Sequence, residues 1–158
     1  MNSSMIDSIS LKHLSKKYLL KECIPDNPFI RSLGIRFVEE NGSYISILPF
    51  RPDLIGNSEI KALHGGVTLS LLEVTAFLQI QIDIKKGKRT FGNLNNLTPS
   101  IVDTNVDYLR PGNAHDTFAI AKVTRLGRRF GSVYVAAWQK DYNKTVAQAT
   151  VRFQILKK

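Results

Sequence analysis

The feature that most constrains the fold of this chain is a long apolar segment without proline, running from Ala62 to Ile84. Apolar residues fall on every side of the helix that this segment would form, and a helix that is apolar all round is buried all round. At about 1.5 Å per residue the helix would be about 33 Å long, close to the width of a small domain. The rest of the chain is therefore expected to wrap around it.

Strand patterns lie on both sides of this predicted helix. Two short runs, 35–40 and 44–49, flank Asn41-Gly42, which is a strong hairpin signal. Four more runs of β-branched and aromatic residues follow the helix, at 100–109, 117–126, 130–138 and 146–155. Many strands and one long helix predict an α+β fold in which a mostly antiparallel sheet curls around the helix.

The N-terminal part has a different pattern. Residues 1–10 are polar and are predicted to be flexible, and 11–23 has the apolar spacing of a short amphipathic helix that Pro25 and Pro28 end. No linker, repeat or low-complexity tract follows, so 11–158 is predicted to be a single domain.

Composition narrows the setting of the protein. Cys23 is the only cysteine, so no intrachain disulfide is possible, and a reducing cytoplasm is the expected location. No signal peptide is recognised, and polar residues interrupt the apolar segment, so no membrane association is predicted. The net charge of +9 favours an anionic partner such as nucleic acid, anionic lipid or a phosphorylated ligand, although a basic surface that only aids solubility is an equally good interpretation.

The helix opens with a candidate site at His64-Gly65-Gly66. Each glycine costs about 1 kcal/mol of helix propensity relative to alanine. At a helix start, however, glycines let a ligand approach the backbone, and the free N–H groups there carry positive partial charge. This arrangement suits an oxyanion hole. The alternative is an ordinary helix cap with an incidental histidine.

Glu73 is the second candidate, because it is the only ionisable residue between His64 and Asp83. A buried carboxylate needs either a structural hydrogen bond or a function such as general base or nucleophile. Nine residues separate His64 from Glu73, which is about 180° around a helix and about 13 Å along it. One chain therefore cannot bring the two together, whereas two antiparallel helices related by a two-fold axis would do so twice. The chemistry predicts a homo-oligomer.

Several segments together resemble the PaaI-like thioesterases of the hotdog fold. They are the stretch 56–67, which contains Asn57 and ends His-Gly-Gly-Val, then Leu71-Leu72-Glu73, then Asn105-Val106-Asp107-Tyr108-Leu109-Arg110-Pro111, then 124–129 and 146–149. The resemblance covers roughly residues 30–156. It implies a hotdog fold, in which the sheet wraps the central helix, and an acyl-CoA thioesterase that works as a homodimer or as a dimer of dimers.

The resemblance also implies roles for individual residues. Gly65 would donate its N–H to the thioester oxygen, and His64 would hold the loop in place. Asn57 would orient the water or the thioester, and Glu73 of the neighbouring subunit would be the general base or the nucleophile. Further residues would contact substrate, with the arginines on the coenzyme A phosphates; they are Ser58, Gly66, Ser100, Arg110, Gly127, Arg128 and Arg129. The alternatives are a solvated turn for Arg128 and Arg129, which is an equally good interpretation, and a strand cap for Arg110.

Three departures from the family pattern affect these assignments. The acid is glutamate where many relatives have aspartate. Asn57 lies seven residues before His64, where several relatives have six, and Ser58 occupies that other position. Ile101, with Ser100 beside it, falls where some relatives carry a hydroxyl that holds the water.

No cofactor is expected beyond the coenzyme A of the substrate itself. The three histidines are far apart in sequence, and no metal cluster, phosphate-binding loop, dinucleotide fingerprint or serine-hydrolase elbow is recognised. Other functions stay open: a non-catalytic acyl-CoA binder, a hotdog acyl-thioester dehydratase and, on charge alone, a nucleic-acid-binding module. No nucleic-acid recognition motif supports the last, so nucleic acid is not predicted to be a partner.

Overall fold

A computed structural model of the chain describes Cys23 and residues 27–87 and 97–157. Residues 27–87 and 97–157 contain two α-helices, α1 (Pro28–Leu33) and α2 (Gly65–Lys85), and a short 3-10 helix at Pro52–Leu54. The strands are β1 (Arg36–Glu40), β2 (Ser43–Leu48), β3 (Ile55–Asn57), β4 (Ala62–Leu63), β5 (Leu97–Tyr108), β6 (Thr117–Leu126), β7 (Phe130–Trp138) and β8 (Ala147–Lys157). The predicted flexible terminus 1–10 lies outside the described residues, as does the predicted helix 11–23 except for Cys23, which is helical and buried.

Six strands form one sheet in the order β1-β2-β6-β7-β8-β5, and every neighbouring pair is antiparallel. Asn41 and Gly42 both adopt positive φ, 50° and 79°, in the turn between β1 and β2. A tight hairpin turn needs that geometry, and Asn-Gly supplies it at little cost. The predicted α+β fold, an antiparallel sheet around one long helix, is confirmed.

The central helix α2 packs against the concave face of this sheet. Leu71, Leu72 and Ile80 are fully buried, and each such side chain contributes about 1.5–3 kcal/mol. At Gly131 on β7 an added Cβ would lie 2.6 Å from Ile80 Cδ1, so any larger residue there would displace the end of the Ile80 side chain. By length and composition α2 could also cross a membrane, but 56% of its most apolar window is buried inside the fold, which is the packing of a core helix.

Within one chain, α2 is not buried on every face as predicted. A stripe at helical spacing is only half-buried: Ser70, Glu73, Phe77 and Gln81. The two edge strands of the sheet are β1 and β5. Glu73, a member of this stripe, contacts β5.

The helix begins three residues later than predicted. Ala62 and Leu63 are not helical but form β4, which pairs with β3. The Leu63 N–H also donates to the Gly112 carbonyl at 2.7 Å, so a distant loop holds this segment extended. His64 is the N-cap residue, with φ −62° and ψ 130°. A similar correction applies to Pro28, which begins α1 directly after the capping residue Asn27.

Candidate active site

The first turn of α2 leaves one backbone donor unused. The Gly66 N–H donates to His64 Nδ1 at 3.0 Å, and the N–H groups of Val67 and Thr68 donate to the His64 carbonyl. Among the residues that the structure describes, the Gly65 N–H has no acceptor. The positive end of the helix dipole therefore presents one free donor, at a half-buried position suited to a carbonyl oxygen.

His64 itself is exposed and acts as a cap. Because Nδ1 accepts the Gly66 N–H, this hydrogen bond assigns the ring proton of neutral imidazole to Nε2. Gly56 on β3 lies against the ring: an added Cβ there would meet His64 Cα at 2.6 Å and Cδ2 at 2.8 Å. His64 thus caps α2 and packs against β3, and its role in holding the loop around a substrate stays a prediction.

Asn57 is the last residue of β3, and Ser58 follows it in the turn that leads to β4; both are exposed. The Asn57 Oδ1 accepts hydrogen bonds from the N–H groups of Glu59 and Ile60, at 3.0 and 3.3 Å. In the isolated chain its side-chain oxygen therefore shapes its own loop. The role of Asn57 toward a substrate stays a prediction, as does that of Ser58.

Tyr108, the last residue of β5, reaches the helix start from the sheet. Its hydroxyl donates to the Gly65 carbonyl at 2.8 Å. Burial, and after it the negative charge of Glu73, raise the pKa of the Tyr108 phenol above its usual value. The hydroxyl is therefore protonated at neutral pH and able to donate.

Glu73 lies further along α2, half-buried, and is held by β5. Thr104 Oγ1 donates to Glu73 Oε1 at 2.8 Å. No described residue donates to Oε2, so the carboxylate keeps a free oxygen. The family pattern places a water-holding hydroxyl where this chain has Ile101, with Ser100 beside it, and so leaves that group open. In the structure the hydroxyl that contacts the acid is that of Thr104. Ser100 is exposed, and its backbone pairs with Gln154 on β8.

The free N–H and the free carboxylate oxygen are far apart in one chain. Gly65 and Glu73 are eight residues apart on α2, which is about 12 Å. Thr104 and Tyr108, which contact them from β5, are four residues apart, about 13 Å along a strand. Helix and strand thus give the same separation, and the prediction that one chain does not join the two halves agrees with this geometry.

The predicted phosphate-binding residues divide between the two ends of the sheet. Arg110 lies near the helix start, and its Nη1 donates to the Thr145 carbonyl at 2.6 Å, so it ties down a neighbouring loop. Gly127 forms the β6–β7 turn, where its N–H donates to the Phe130 carbonyl at 2.8 Å. Arg128 and Arg129 are exposed in this turn, at the end of the sheet where β7 packs on Ile80. They therefore lie beyond Glu73, toward the C-terminal end of α2.

A cleft of about 430 Å³ opens beside Arg110, between the β5–β6 and β7–β8 connections. Neither Gly65 nor Glu73 lines it. In the part of the chain that the structure describes, no three His, Cys, Asp or Glu side chains come together as a group that could hold a metal ion.

Comparison with known proteins places this geometry in a family. The model of the thioesterase superfamily matches residues 61–146, more than half of the chain. The chain belongs to the thioesterase superfamily. Its predicted assignment to hotdog thioesterases, and so to thioester hydrolases, is confirmed.

Relatives of this thioesterase are found among sequences and structures. It is 29% identical to the medium/long-chain acyl-CoA thioesterase YigI of Salmonella typhimurium, over 81% of this chain and 85% of that protein. A Bacillus halodurans protein crystallised with CoA has a TM-score of 0.66 and 22% identity, covering 89% of this chain and 87% of that one. The Escherichia coli PaaI protein of the phenylacetic acid degradation operon has a TM-score of 0.64 and 21% identity, covering 83% and 86%.

Proposed function

We propose that this protein hydrolyses acyl-CoA thioesters at two sites that a homodimer shares across its two-fold axis. The observation that carries the proposal is the unused Gly65 N–H at the positive end of α2. Such a donor stabilises the oxyanion that develops when a thioester carbonyl is attacked. The YigI relatives, which are named medium/long-chain acyl-CoA thioesterases, support acyl-CoA as the substrate and a medium or long chain as the acyl group.

The dimer follows from the edge strand β5. It ends the sheet, and large apolar side chains on or beside it are exposed: Ile101, Val102, Tyr108 and Leu109. An exposed apolar edge strand is a ready surface for pairing with a second strand. If two β5 strands pair antiparallel about Val106, Thr104 of one chain lies opposite Tyr108 of the partner subunit.

This register completes the site. Thr104 contacts Glu73 by a hydrogen bond, and Tyr108 contacts Gly65 in the same way. Pairing about Val106 therefore brings the carboxylate of each chain beside the free N–H of the partner. Within one chain Gly65 and Glu73 are about 12 Å apart. Across the two-fold axis, Gly65 of one chain lies beside Glu73 of the partner subunit. A dimer of dimers would contain the same sites, and its existence stays a prediction.

The proposed reaction uses both halves. The thioester carbonyl oxygen accepts the Gly65 N–H, so the carbonyl carbon becomes more electrophilic. In one route, Glu73 of the partner subunit takes a proton from water, whose oxygen attacks that carbon; the C–S bond then breaks, and the coenzyme A thiolate takes up the proton. In the other route, the carboxylate attacks the carbonyl carbon, the C–S bond breaks and coenzyme A leaves as the thiolate. Water then hydrolyses the mixed anhydride to the fatty acid and the Glu73 carboxylate, and the thiolate takes up the proton that is released. Thr104 holds Oε1 in both.

A single turnover in ¹⁸O-labelled water gives a positive test for the nucleophile route. If water attacks the anhydride at the Glu73 carbonyl, the label enters Glu73, and mass spectrometry of the peptide that contains Glu73 detects it. If Glu73 is the general base, or if water attacks the anhydride at the acyl carbon, the label enters the fatty acid. Hydroxylamine separates these last two, because it traps an anhydride on Glu73 as a hydroxamate and finds none in the general-base route.

The basic turn of β6–β7 is proposed to bind the coenzyme A phosphates. Arg128 and Arg129 are exposed and lie beyond Glu73, toward the C-terminal end of α2. The guanidinium group suits phosphate because its donors match the oxygens in pairs. We propose no cofactor beyond the coenzyme A of the substrate, and a cytoplasmic location where acyl-CoA is formed.

The test is free thiol release from acyl-CoAs of increasing chain length, with wild type beside Glu73→Gln. Glutamine keeps the size of the side chain and removes the base, so we expect the rate to fall at least about 100-fold. Circular dichroism and urea unfolding check that the variant folds. A folded Glu73→Gln protein with full activity contradicts the assignment, and no thiol release from wild type with any chain length favours a non-catalytic binder or a dehydratase.

A further inference from the structure

The peptide unit between Gly65 and Gly66 is held at both of its polar ends. Its carbonyl, that of Gly65, accepts the Tyr108 hydroxyl at 2.8 Å, and its N–H, that of Gly66, donates to His64 Nδ1 at 3.0 Å. The unit before it carries the free Gly65 N–H. Because the two units share the Gly65 Cα, fixing the second limits how the first can turn.

Two glycines in succession make this restraint necessary. Glycine has no Cβ, so its backbone has more accessible conformations than any other residue. An added Cβ at Gly65 would lie 3.3 Å from the Tyr108 hydroxyl oxygen, so the tyrosine also fills the space that a side chain would otherwise occupy. Tyr108 is 52% exposed despite this contact. Packing within the chain therefore holds the ring only in part, and the hydrogen bond to Gly65 ties its hydroxyl to the helix start.

We infer that Tyr108 is a positioning residue, which aims the Gly65 N–H at the substrate carbonyl by clamping the following peptide unit from the sheet. The inference rests on the proposed thioesterase function. Tyr108 itself does not contact the reacting atoms. Its hydroxyl acts through the Gly65 backbone, and so affects the transition state more than substrate binding.

The first test compares Tyr108→Phe with Tyr134→Phe. Tyr134 is a matched control, because it is 40% exposed and its hydroxyl donates to the Gln148 side chain, at 2.9 Å from Oε1, and not to the α2 backbone. We expect Tyr108→Phe to lower kcat about tenfold and to change KM less than twofold, while Tyr134→Phe keeps both. Equal kcat for the two variants overturns the inference, and so does a raised KM with unchanged kcat.

The second test asks whether Tyr108 acts through Gly65. In wild type, Gly65→Ala places a methyl group 3.3 Å from the Tyr108 hydroxyl and disturbs the clamp. In Tyr108→Phe the hydroxyl is already gone, so the same substitution should lower kcat several-fold less. If Gly65→Ala lowers kcat by the same factor in both backgrounds, the two residues act independently and the inference fails.

The third test does not depend on catalysis. Amide hydrogen exchange measured by NMR should become several-fold faster at Gly66 in Tyr108→Phe, and stay unchanged in Tyr134→Phe, because the clamped unit opens more often. Unchanged exchange at Gly66 refutes the clamp even if no substrate is found. A wild type that is inactive on every acyl-CoA, with faster exchange at Gly66, refutes the proposed function and leaves the clamp intact.

Discussion

Thr104 is the residue whose substitution tests the catalytic role of Glu73 without touching the acid. Valine has nearly the shape of threonine but no hydroxyl, so Thr104→Val removes one hydrogen bond of 2.8 Å to Glu73 Oε1. A hydrogen bond to a charged group contributes about 1.5–3 kcal/mol. If the transition state needs the carboxylate in this position, kcat should fall about 10- to 150-fold, since each factor of ten is about 1.36 kcal/mol.

The assay is thiol release with kcat and KM determined separately, and the control is Thr104→Ser. Serine keeps the hydroxyl and loses only a methyl group, so its kcat should stay within about threefold of wild type. The free energy of unfolding in urea should change by no more than about 1 kcal/mol in either variant, because the half-buried carboxylate can be solvated instead. The reasoning is refuted if Thr104→Val keeps wild-type kcat, or if valine and serine lower it equally.

Three further predictions concern other parts of the fold. Gly65→Pro removes the free N–H at a helix position that accepts proline, so kcat should fall about 100- to 1,000-fold. Gly65→Ala is its control, because it adds a Cβ at the same place near Tyr108 but keeps the N–H, and it should lose much less. Gly131→Ala should lower the free energy of unfolding in urea by about 1–3 kcal/mol, because its methyl group would lie 2.6 Å from Ile80 Cδ1. Ile80→Val removes that atom, so the double variant should lose less free energy of unfolding than the two single variants lose in sum. Replacing Arg128 and Arg129 together with glutamine should raise KM for acyl-CoA several-fold and weaken its dependence on salt, and an unchanged KM would exclude both from phosphate binding.

The first and last residues of a strand were predictable from sequence where the alternation of apolar and polar residues alone sets them. β6 and β7 have the predicted bounds, because their buried and exposed residues follow period two between clear turn residues. The start of α2 was not predictable in this way. Ala62 and Leu63 continue the apolar pattern of the helix, but their pairing with β3 and the bond from Leu63 to Gly112 are contacts with distant segments.

Some residues of the candidate site were predictable from the sequence, and others were not. His64, Gly65 and Glu73 stand out in the sequence because each departs from the pattern of an apolar helix. Gly65 does so by its conformational freedom, His64 by its polarity and Glu73 by its charge. Thr104 and Tyr108 do not stand out, since polar and aromatic residues are ordinary in an edge strand. Their contacts join positions 31 and 43 residues apart, and depend on the register of β5 along α2.

The central claim is that each site takes its carboxylate from one chain and its N–H donor from the other. The most direct measurement mixes two inactive variants, Glu73→Gln and Gly65→Pro, by co-refolding or by co-expression with different tags. Random assortment makes half of the dimers mixed, and each mixed dimer has one intact site of two, so the preparation should regain about a quarter of wild-type activity. Activity no higher than the mean of the two separate variants would show that a site lies within one chain, and would contradict the account.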